Sequence, residues 1–409
     1  MSIVTIQNCT KPDLALIARM SAGMRSLTEE LNLIFPQRTG VISQLAFALT
    51  MREHVMVWGD TGTAKSLLAR ATFGAFTGSN TFEINLSKFS TKPEVFGGIN
   101  TKLMTEEGRV RYWLDEGAVY CDFFFPDEFL DASDPMLRAM LTLLNERLFL
   151  NGKERVVSRL HTSLATTNGD PWARAKANPD LKAVVDRFLF KSQVAYLDED
   201  EEYARMLTTY LSGLRPQTQM DMADLTAFSE IVANTNLIHN PVMVKAYIDA
   251  MNAFRKASGA FISDRTMARM TQVIEAQALL FGRFEVIPED ILAVKYGVCD
   301  GEDTEKQVTF VTAATPAIKK AEKEMGASID DAQQALIKEY AGQIPALRQE
   351  DLSKMQPNDM VATARDLTQL RAKISAVVPQ TTTTQVQRDA LLEKVDKKLG
   401  QLNKVIFKS

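Results

Sequence analysis

The chain has 409 residues, 45% hydrophobic and 24% charged, the balance of a soluble globular protein with two or three domains. A net charge of −4 supplies no whole-molecule field for nucleic acid or an anionic membrane. Cys9, Cys121 and Cys299 lie far apart, as do His54, His161 and His239, which excludes the usual metal-ligand spacings and fits a reducing compartment.

The N-terminal stretch MSIVTIQNCTKPDLALI lacks the basic start and apolar core of a secretory leader, and no apolar run is long enough to span a membrane. A cytoplasmic location is expected. From about residue 12 to 197, short apolar runs alternate with longer helical patterns, which predicts an α/β core around a parallel sheet. The strands are expected at His54–Trp58, Thr81–Asn85, Val119–Phe125, Thr162–Thr166 and near Lys191–Tyr196. From 198 to 298 the pattern is helical throughout, broken at Gly213–Pro216, Asn240–Pro241 and Pro288. There Met267, Met270, Ile274, Ala278 and Phe281 form an amphipathic stripe. Beyond 299 the chain is richer in Lys, Glu, Asp, Gln and Ala. One helix face is expected from Met360, Leu367, Leu370, Ile374 and Val377, and another from Leu391, Val395, Leu402 and Ile406. Pro379–Gln385 would be the turn between them, making a helical hairpin. The expected organisation is a nucleotide-binding core at 1–197, a helical lid at 198–298 and a helical extension at 299–409.

The strand HVMVW is followed by Gly59, Asp60, Thr61, Gly62, Thr63, Ala64, Lys65 and Ser66, and then by the helical run opening at Leu67. A strand, a tight loop and a helix in that order bring backbone N–H groups and the positive end of a helix to phosphate oxygens. Lys65 would bridge the β- and γ-phosphates of ATP, and Ser66 would ligate Mg²⁺. Ala64 stands where the strict phosphate-loop pattern has its second glycine. Further on, a buried-strand pattern ends in Asp127-Glu128. Asp127 at the strand's end can hold Mg²⁺ through water, and Glu128 can orient the attacking water. Pro126 donates no ladder hydrogen bond, a loss that is tolerable at a strand end. Asn168 closes the next strand candidate. Such an amide can hold the catalytic water, although asparagine at a strand end is also ordinary turn chemistry. Arg187 follows a helix, where a surface cation is also favoured by the helix dipole.

Together these residues resemble the MoxR-type AAA+ ATPases, most closely the RavA branch, whose phosphate loop itself reads GxxGxAKS. The stretches that carry the resemblance are FSTKPEVFGGIN (89–100), EEGRV (106–110), FPDEFLDAS (125–133), LLNERLFLNGKE (143–154), ATTN (165–168), VVDRFL (184–189) and SDRTMARMTQVIEAQALLFGR (263–283). The resemblance covers about residues 12 to 298. It implies an AAA+ P-loop core with a parallel sheet, an all-helical lid and nucleotide held between subunits of a homo-hexamer. It also implies roles: Lys65 and Ser66 in Walker A, Asp127 and Glu128 in Walker B, and Asn168 as sensor 1. Arg187 becomes an arginine finger acting in trans, and Arg265 the sensor 2 arginine of the lid. The activity implied is ATP hydrolysis coupled to chaperone-like remodelling of a protein partner, often one with a von Willebrand factor A domain.

Two insertions belong to the same likeness. Phe96–Arg111 is expected to carry a hairpin with Lys102, Arg109 and Arg111 near a central pore, although such charges are commonly just solvated. Leu148–Val156 holds Asn151-Gly152 between apolar residues, a hairpin signal. The competing functions are a DNA-acting motor and an ATP-binding scaffold without turnover. The mild acidity and the lack of a zinc, winged-helix or aromatic-basic module weigh against the first. The complete set Glu128, Asn168 and Arg187 weighs against the second.

Overall fold

A computed structural model describes residues 13–108, 110–234, 238, 240–325, 329–345, 357–375, 377 and 382–406. The first elements are α1 (Leu14–Ile34) and α2 (Thr39–Met51), followed by β1 (Val55–Trp58) and α3 (Lys65–Phe73). Asp13 caps α1 by accepting from the N–H groups of Ala15 and Leu16, each at 3.0 Å. Its Ile17, Met20, Met24, Leu27 and Leu31, spaced by three and four, are all buried. Then come β2 (Phe76–Thr77), β3 (Thr81–Asn85), α4 (Lys92–Phe96), α5 (Thr101–Glu107), β4 (Phe123–Asp127) and α6 (Asp134–Glu146). A hairpin of β5 (Leu148–Asn151) and β6 (Glu154–Val157) leads to β7 (Thr162–Thr167), α7 (Pro171–Ala177), α8 (Pro179–Val185) and β8 (Phe190–Gln193).

Five strands form one sheet in the order β3-β4-β7-β1-β8, every pair parallel. The four residues of β1 are all buried, as a parallel strand covered on both faces requires. The strand expected from Val119 begins at Phe123 and runs through Pro126 to Asp127. Residues 119–122 instead form the approach to the strand. There the Asp122 carboxylate accepts from the Asn80 N–H at 2.8 Å, and its carbonyl accepts from His161 N–H at 2.7 Å. Val95, Phe96, Phe124, Phe129, Met140, Leu143 and Phe188 fill one core face of the sheet.

The helical region comprises α9 (Asp200–Ser212), β9 (Met220–Asp221), α10 (Met222–Asn234), α11 (Pro241–Ser258), α12 (Asp264–Leu280), a 3₁₀ segment at Pro288–Val294 and α13 (Lys295–Val298). The expected breaks coincide with helix ends: Gly213 closes α9 in the left-handed region, and Asn240 caps α11 ahead of Pro241. One departure is β9, which pairs in parallel with β2 and ties this region to the core. The last helices are α14 (Thr304–Met325), α15 (Ile329–Gln343), α16 (Pro357–Ser375) and α17 (Thr382–Ile406).

By its own packing the chain divides into two compact units, Met1–Val286 with Asp290–Pro316, and Ile287–Glu289 with Ala317–Ser409. Residues 299–316, expected to open the C-terminal extension, therefore pack with the first unit. Phe310 is fully buried with its ring 5.2 Å from that of Phe254. Residues 300–302 close the sheet edge: Gly301 N–H donates to the Lys191 carbonyl at 3.1 Å, and the Asp300 carboxylate accepts from Gln193 N–H at 2.9 Å. Free ladder groups at an edge strand invite foreign strands, and these bonds satisfy them.

In the second unit Leu367, Leu370, Ile374, Val377, Leu391 and Val395 form one buried cluster with Ile337 of α15. Arg371 pairs with Asp396 at 2.5 Å, and Arg388 donates to the Val377 carbonyl at 3.3 Å, so α16 and α17 run antiparallel as the expected hairpin. Thr382–Gln385, expected in the turn, form the first turn of α17, and residues 379–381 lie outside the described residues. Neither stripe predicted the third helix, α15.

Candidate active site

The expected nucleotide residues converge where β1, β4 and β7 end, at the carboxyl edge of the sheet. Gly59 has φ 145°, and a Cβ there would meet the Val194 carbonyl oxygen at 2.0 Å, so only glycine lets the loop leave β1 against β8. Gly62 and Ala64 also have positive φ, 81° and 63°. Ala64 therefore occupies a left-handed conformation that explains the glycine of the strict pattern. The loop is closed internally: Thr63 Oγ1 donates to the Asp60 carbonyl at 2.9 Å and Tyr196 Oη to the Thr61 carbonyl at 2.9 Å. Lys65 Nζ donates to the carbonyls of Gly59 and Asp60 at 2.9 and 2.8 Å. Burial lowers its pKa, opposed by Glu128, Asp127 and Asp60. Ser66 is half-buried at the start of α3, and Leu67 is 52% exposed beside it.

Asp127 is the last residue of β4. Its Oδ1 accepts from Thr166 Oγ1 on β7 and from the Glu128 N–H at 3.2 Å. Glu128 turns out of the strand with φ 54° and ψ 43°, left-handed for a residue with a branched-free but full side chain. Its carboxylate accepts from Asn168 twice, from the backbone N–H at 3.1 Å and from the side-chain amide. Burial raises the pKa of Glu128; the Asn168 N–H opposes this, Asp127 and Asp131 add to it, and Lys65 opposes it. Asn168 Oδ1 is buried without a partner in the protein. An unpaired acceptor beside the Glu128 carboxylate suits a water molecule that must present a proton and a lone pair.

Arg187 and Arg265 stand apart from this cluster. Arg187 follows α8, half-buried, with a buried Nε that lacks a partner, and its carbonyl accepts from Arg269 Nη1 at 3.5 Å. Arg265 is exposed in the first turn of α12, whose cap is Ser263. Neither side chain hydrogen-bonds to Lys65, Asp127, Glu128 or Asn168 among the described residues. Of the expected insertion charges, Lys102 is exposed, Arg111 pairs with Glu154 at 3.1 Å, and Arg109 lies outside the described residues. Phe96–Arg111 holds the short helix α5 above a single antiparallel bridge, Ile99 with Tyr112, in place of the expected hairpin.

Several residues of the site escaped the sequence reading. Thr166 is placed by strand register: the pairing of Phe123 with Thr162 carries Asp127 opposite Thr166. Arg174 on α7 donates to the Leu130 carbonyl and the Asp131 carboxylate at 2.8 and 2.7 Å, bracing the segment after Glu128. Phe35, Arg38 and Val194 line a cavity beside Ala64 and Lys65, and no local motif announces them. Among the described residues no group of three or more His, Cys, Asp or Glu is placed to hold a metal ion.

Comparison with known proteins bears on the family and the fold. Residues 22–231 match a family model described as the MoxR domain in MoxR-vWA-beta-propeller ternary systems, and residues 238–311 match an AAA lid domain. The chaperone MoxR1 of Mycobacterium tuberculosis is 26% identical over 268 residues, 62% of this chain and 68% of that protein. An uncharacterised protein of Methanocaldococcus jannaschii is 26% identical over 280 residues, 68% and 71% of the two chains. The crystal structure of a candidate ATPase from Cytophaga hutchinsonii has a TM-score of 0.55 at 18% identity, covering 75% of this chain and 96% of that one. At that identity the likeness speaks for the fold alone.

Proposed function

Because this chain belongs to the MoxR family of AAA+ ATPases, we propose that it binds ATP with magnesium at Gly59–Ser66, hydrolyses it with Glu128 and uses the cycle to remodel a protein partner. The observation that carries the reading is the convergence of Lys65, Asp127, Glu128 and Asn168 at the ends of three adjacent strands. Lys65 exchanges two loop carbonyls for phosphate oxygens. Asp127 keeps Oδ1 on Thr166 and Glu128 N–H, which leaves Oδ2 for the water shell of the metal. Magnesium, when bound, neutralises charge building on the phosphates. Glu128, gripped at both oxygens by Asn168, aims at a water rather than at solvent. Its raised pKa makes it a better proton acceptor than an ordinary surface carboxylate.

Arg187 acts in trans in this reading and Arg265 from the lid, which requires a ring, taken as a homo-hexamer. A guanidinium suits bidentate contact with phosphate oxygens, and a finger supplied by a neighbour contributes about 10³–10⁵ in rate in related systems. The partner proposed is a protein with a von Willebrand factor A domain, supported by the description of the matched family and by the chaperone name of MoxR1. The family match favours this remodeller over a DNA-acting motor. Placement near the RavA branch rests on the stretches quoted above. No helix among the described residues is long and apolar enough to cross a membrane, and a cytoplasmic location is part of the proposal.

The test is Glu128→Gln. That variant is expected to retain ATP, read by nucleotide retention on gel filtration, while steady-state phosphate release falls by at least about 10²-fold. Lys65→Ala should lose the binding itself. Phosphate release by the Glu128 variant at the native rate would remove the assignment.

A further inference from the structure

We propose that the contact between Phe129 and Phe188 makes these two rings positioning residues, through which the Glu128 segment of one subunit sets the placement of its own Arg187. The inference rests on the reading of Arg187 as a cation that serves the neighbouring subunit's nucleotide. Each ring is the immediate chain neighbour of a functional side chain: Phe129 follows Glu128, and Phe188 follows Arg187. The two meet edge to face with centroids 5.4 Å apart and planes at 81°. They are 0% and 1% exposed, so neither has solvent to move into. Phe188 is backed on another side by His54, at 6.3 Å between ring centres. His54 is itself fixed, since its Nδ1 accepts from the Ser163 N–H at 2.9 Å and its Nε2 donates to the Leu144 carbonyl at 2.8 Å. A displaced Phe129 therefore cannot be absorbed behind Phe188.

The backbone on the Arg187 side is held differently. Outside its local turn, the Arg187 carbonyl accepts a long 3.5 Å bond from Arg269, and the Phe188 carbonyl accepts from Lys191 Nζ at 2.5 Å. Both ties come from cationic side chains rather than from a strand ladder. On the Glu128 side, the residue sits in left-handed backbone and its carboxylate is tied to Asn168. Any change in what Glu128 binds alters the turn that carries Phe129. Close-packed interiors transmit such shifts through ring edges instead of dissipating them. A subunit's own catalytic carboxylate and the cation it offers its neighbour are thus two ends of one packed contact.

The experiment uses mixed assemblies of the full chain. A donor chain carries Lys65→Ala, so its own loop is silent while its Arg187 is intact. An acceptor chain carries Arg187→Ala with an intact loop. ATP is then turned over only where an acceptor loop meets a donor Arg187. Restored turnover with Phe129 unchanged establishes the trans role; no restoration, in assemblies shown to be mixed, ends that reading and overturns the proposal with it. With restoration in hand, Phe129→Leu is placed in the donor alone, where Glu128 has no nucleotide to act on. The expected result is a fall in kcat of about tenfold to a hundredfold at unchanged KM for ATP, the scale of a catalytic group misplaced by about 1 Å. Phe188→Leu in the donor should reproduce it, and the two together should add little. Phe129→Met, which keeps the volume but not the ring, serves as a second variant should Phe129→Leu impair folding. Native kcat with either Phe129 variant in the donor overturns the proposal.

Discussion

Ala64 and Glu128 both hold left-handed backbone, with φ of 63° and 54°, at opposite walls of the same site. For a residue with a Cβ that conformation costs about 1–2 kcal/mol. Two such residues within one site are a local reservoir of strain, held by the strands that end there. The expected consequence can be measured by sign. Ala64→Gly should be neutral or stabilise by up to about 1 kcal/mol in denaturant unfolding, since relief of φ outweighs the added freedom of the unfolded chain. Ala69→Gly, in the buried interior of the same helix α3, should cost about 1 kcal/mol or more. Equal losses at both positions would remove the strain argument. At this scale the sequence was most informative where chemistry is local. Gly59, Lys65 and Asp127-Glu128 lie within short motifs, and their spacing relative to strands is enough to find them. Thr166, Arg174 and the Phe129–Phe188 contact depend on strand register and tertiary packing, which a linear motif does not encode.

Elements repeat the pattern. The expected hairpin at Leu148–Val156 forms, yet its turn is offset by one residue from the Asn-Gly signal. Asn151 pairs with Glu154, so Gly152-Lys153 are the two central residues, with Gly152 at φ 68°. Asn151 is thereby released for another task. Its side chain accepts from Tyr112 N–H at 2.8 Å and donates to the Tyr112 carbonyl at 3.0 Å, joining the two insertions as a strand would. Asn151→Ala should leave both Tyr112 groups unpaired and cost about 1–3 kcal/mol in chemical denaturation, with Asn151→Asp losing only the donated bond. A loss below about 0.5 kcal/mol would mean that water replaces both bonds.

The closure of β8 has its own signature. Burial raises the Asp300 pKa from 3.8 to about 6, against the bonds from Glu302 and Gln193 N–H. A carboxyl whose folded pKa lies above its unfolded one lends stability at low pH, and that contribution is lost as pH rises through about 4 to 6. The native protein should therefore lose roughly 1–2 kcal/mol relative to Asp300→Asn between pH 4 and 7, with partial solvent exposure allowed for. Parallel stability profiles for the two proteins would show that Asp300 titrates as an ordinary carboxyl.

Across the whole molecule, composition located the change of character near residue 300, whereas packing places the boundary between units at Pro316. Composition follows surface chemistry. It does not see that Asp300, Gly301 and Phe310 are partners of elements far earlier in the chain, the last two of them buried. A chain ending after Pro316 is expected to keep a cooperative melt and ATP binding. One ending after Val298 loses the β8 closure and the burial of Phe310, worth about 3–5 kcal/mol for the ring alone, and should melt at least about 5 °C lower by calorimetry. Equal melting temperatures would show that the segment only decorates the first unit.

The same closure sets a timetable for synthesis. The bond from Gln193 N–H to Asp300 spans 107 residues of sequence. At an elongation rate of about 5–20 residues per second, the side of β8 awaiting Asp300 is exposed on the nascent chain for roughly 5–20 s after Gln193 has been made. Throughout that interval the growing sheet offers a parallel edge to any neighbouring polypeptide on the same message. A cluster of rare codons between 194 and 300 would lengthen that exposure without altering a single residue, and its cost would be read as lost soluble yield, not as lost activity per folded molecule.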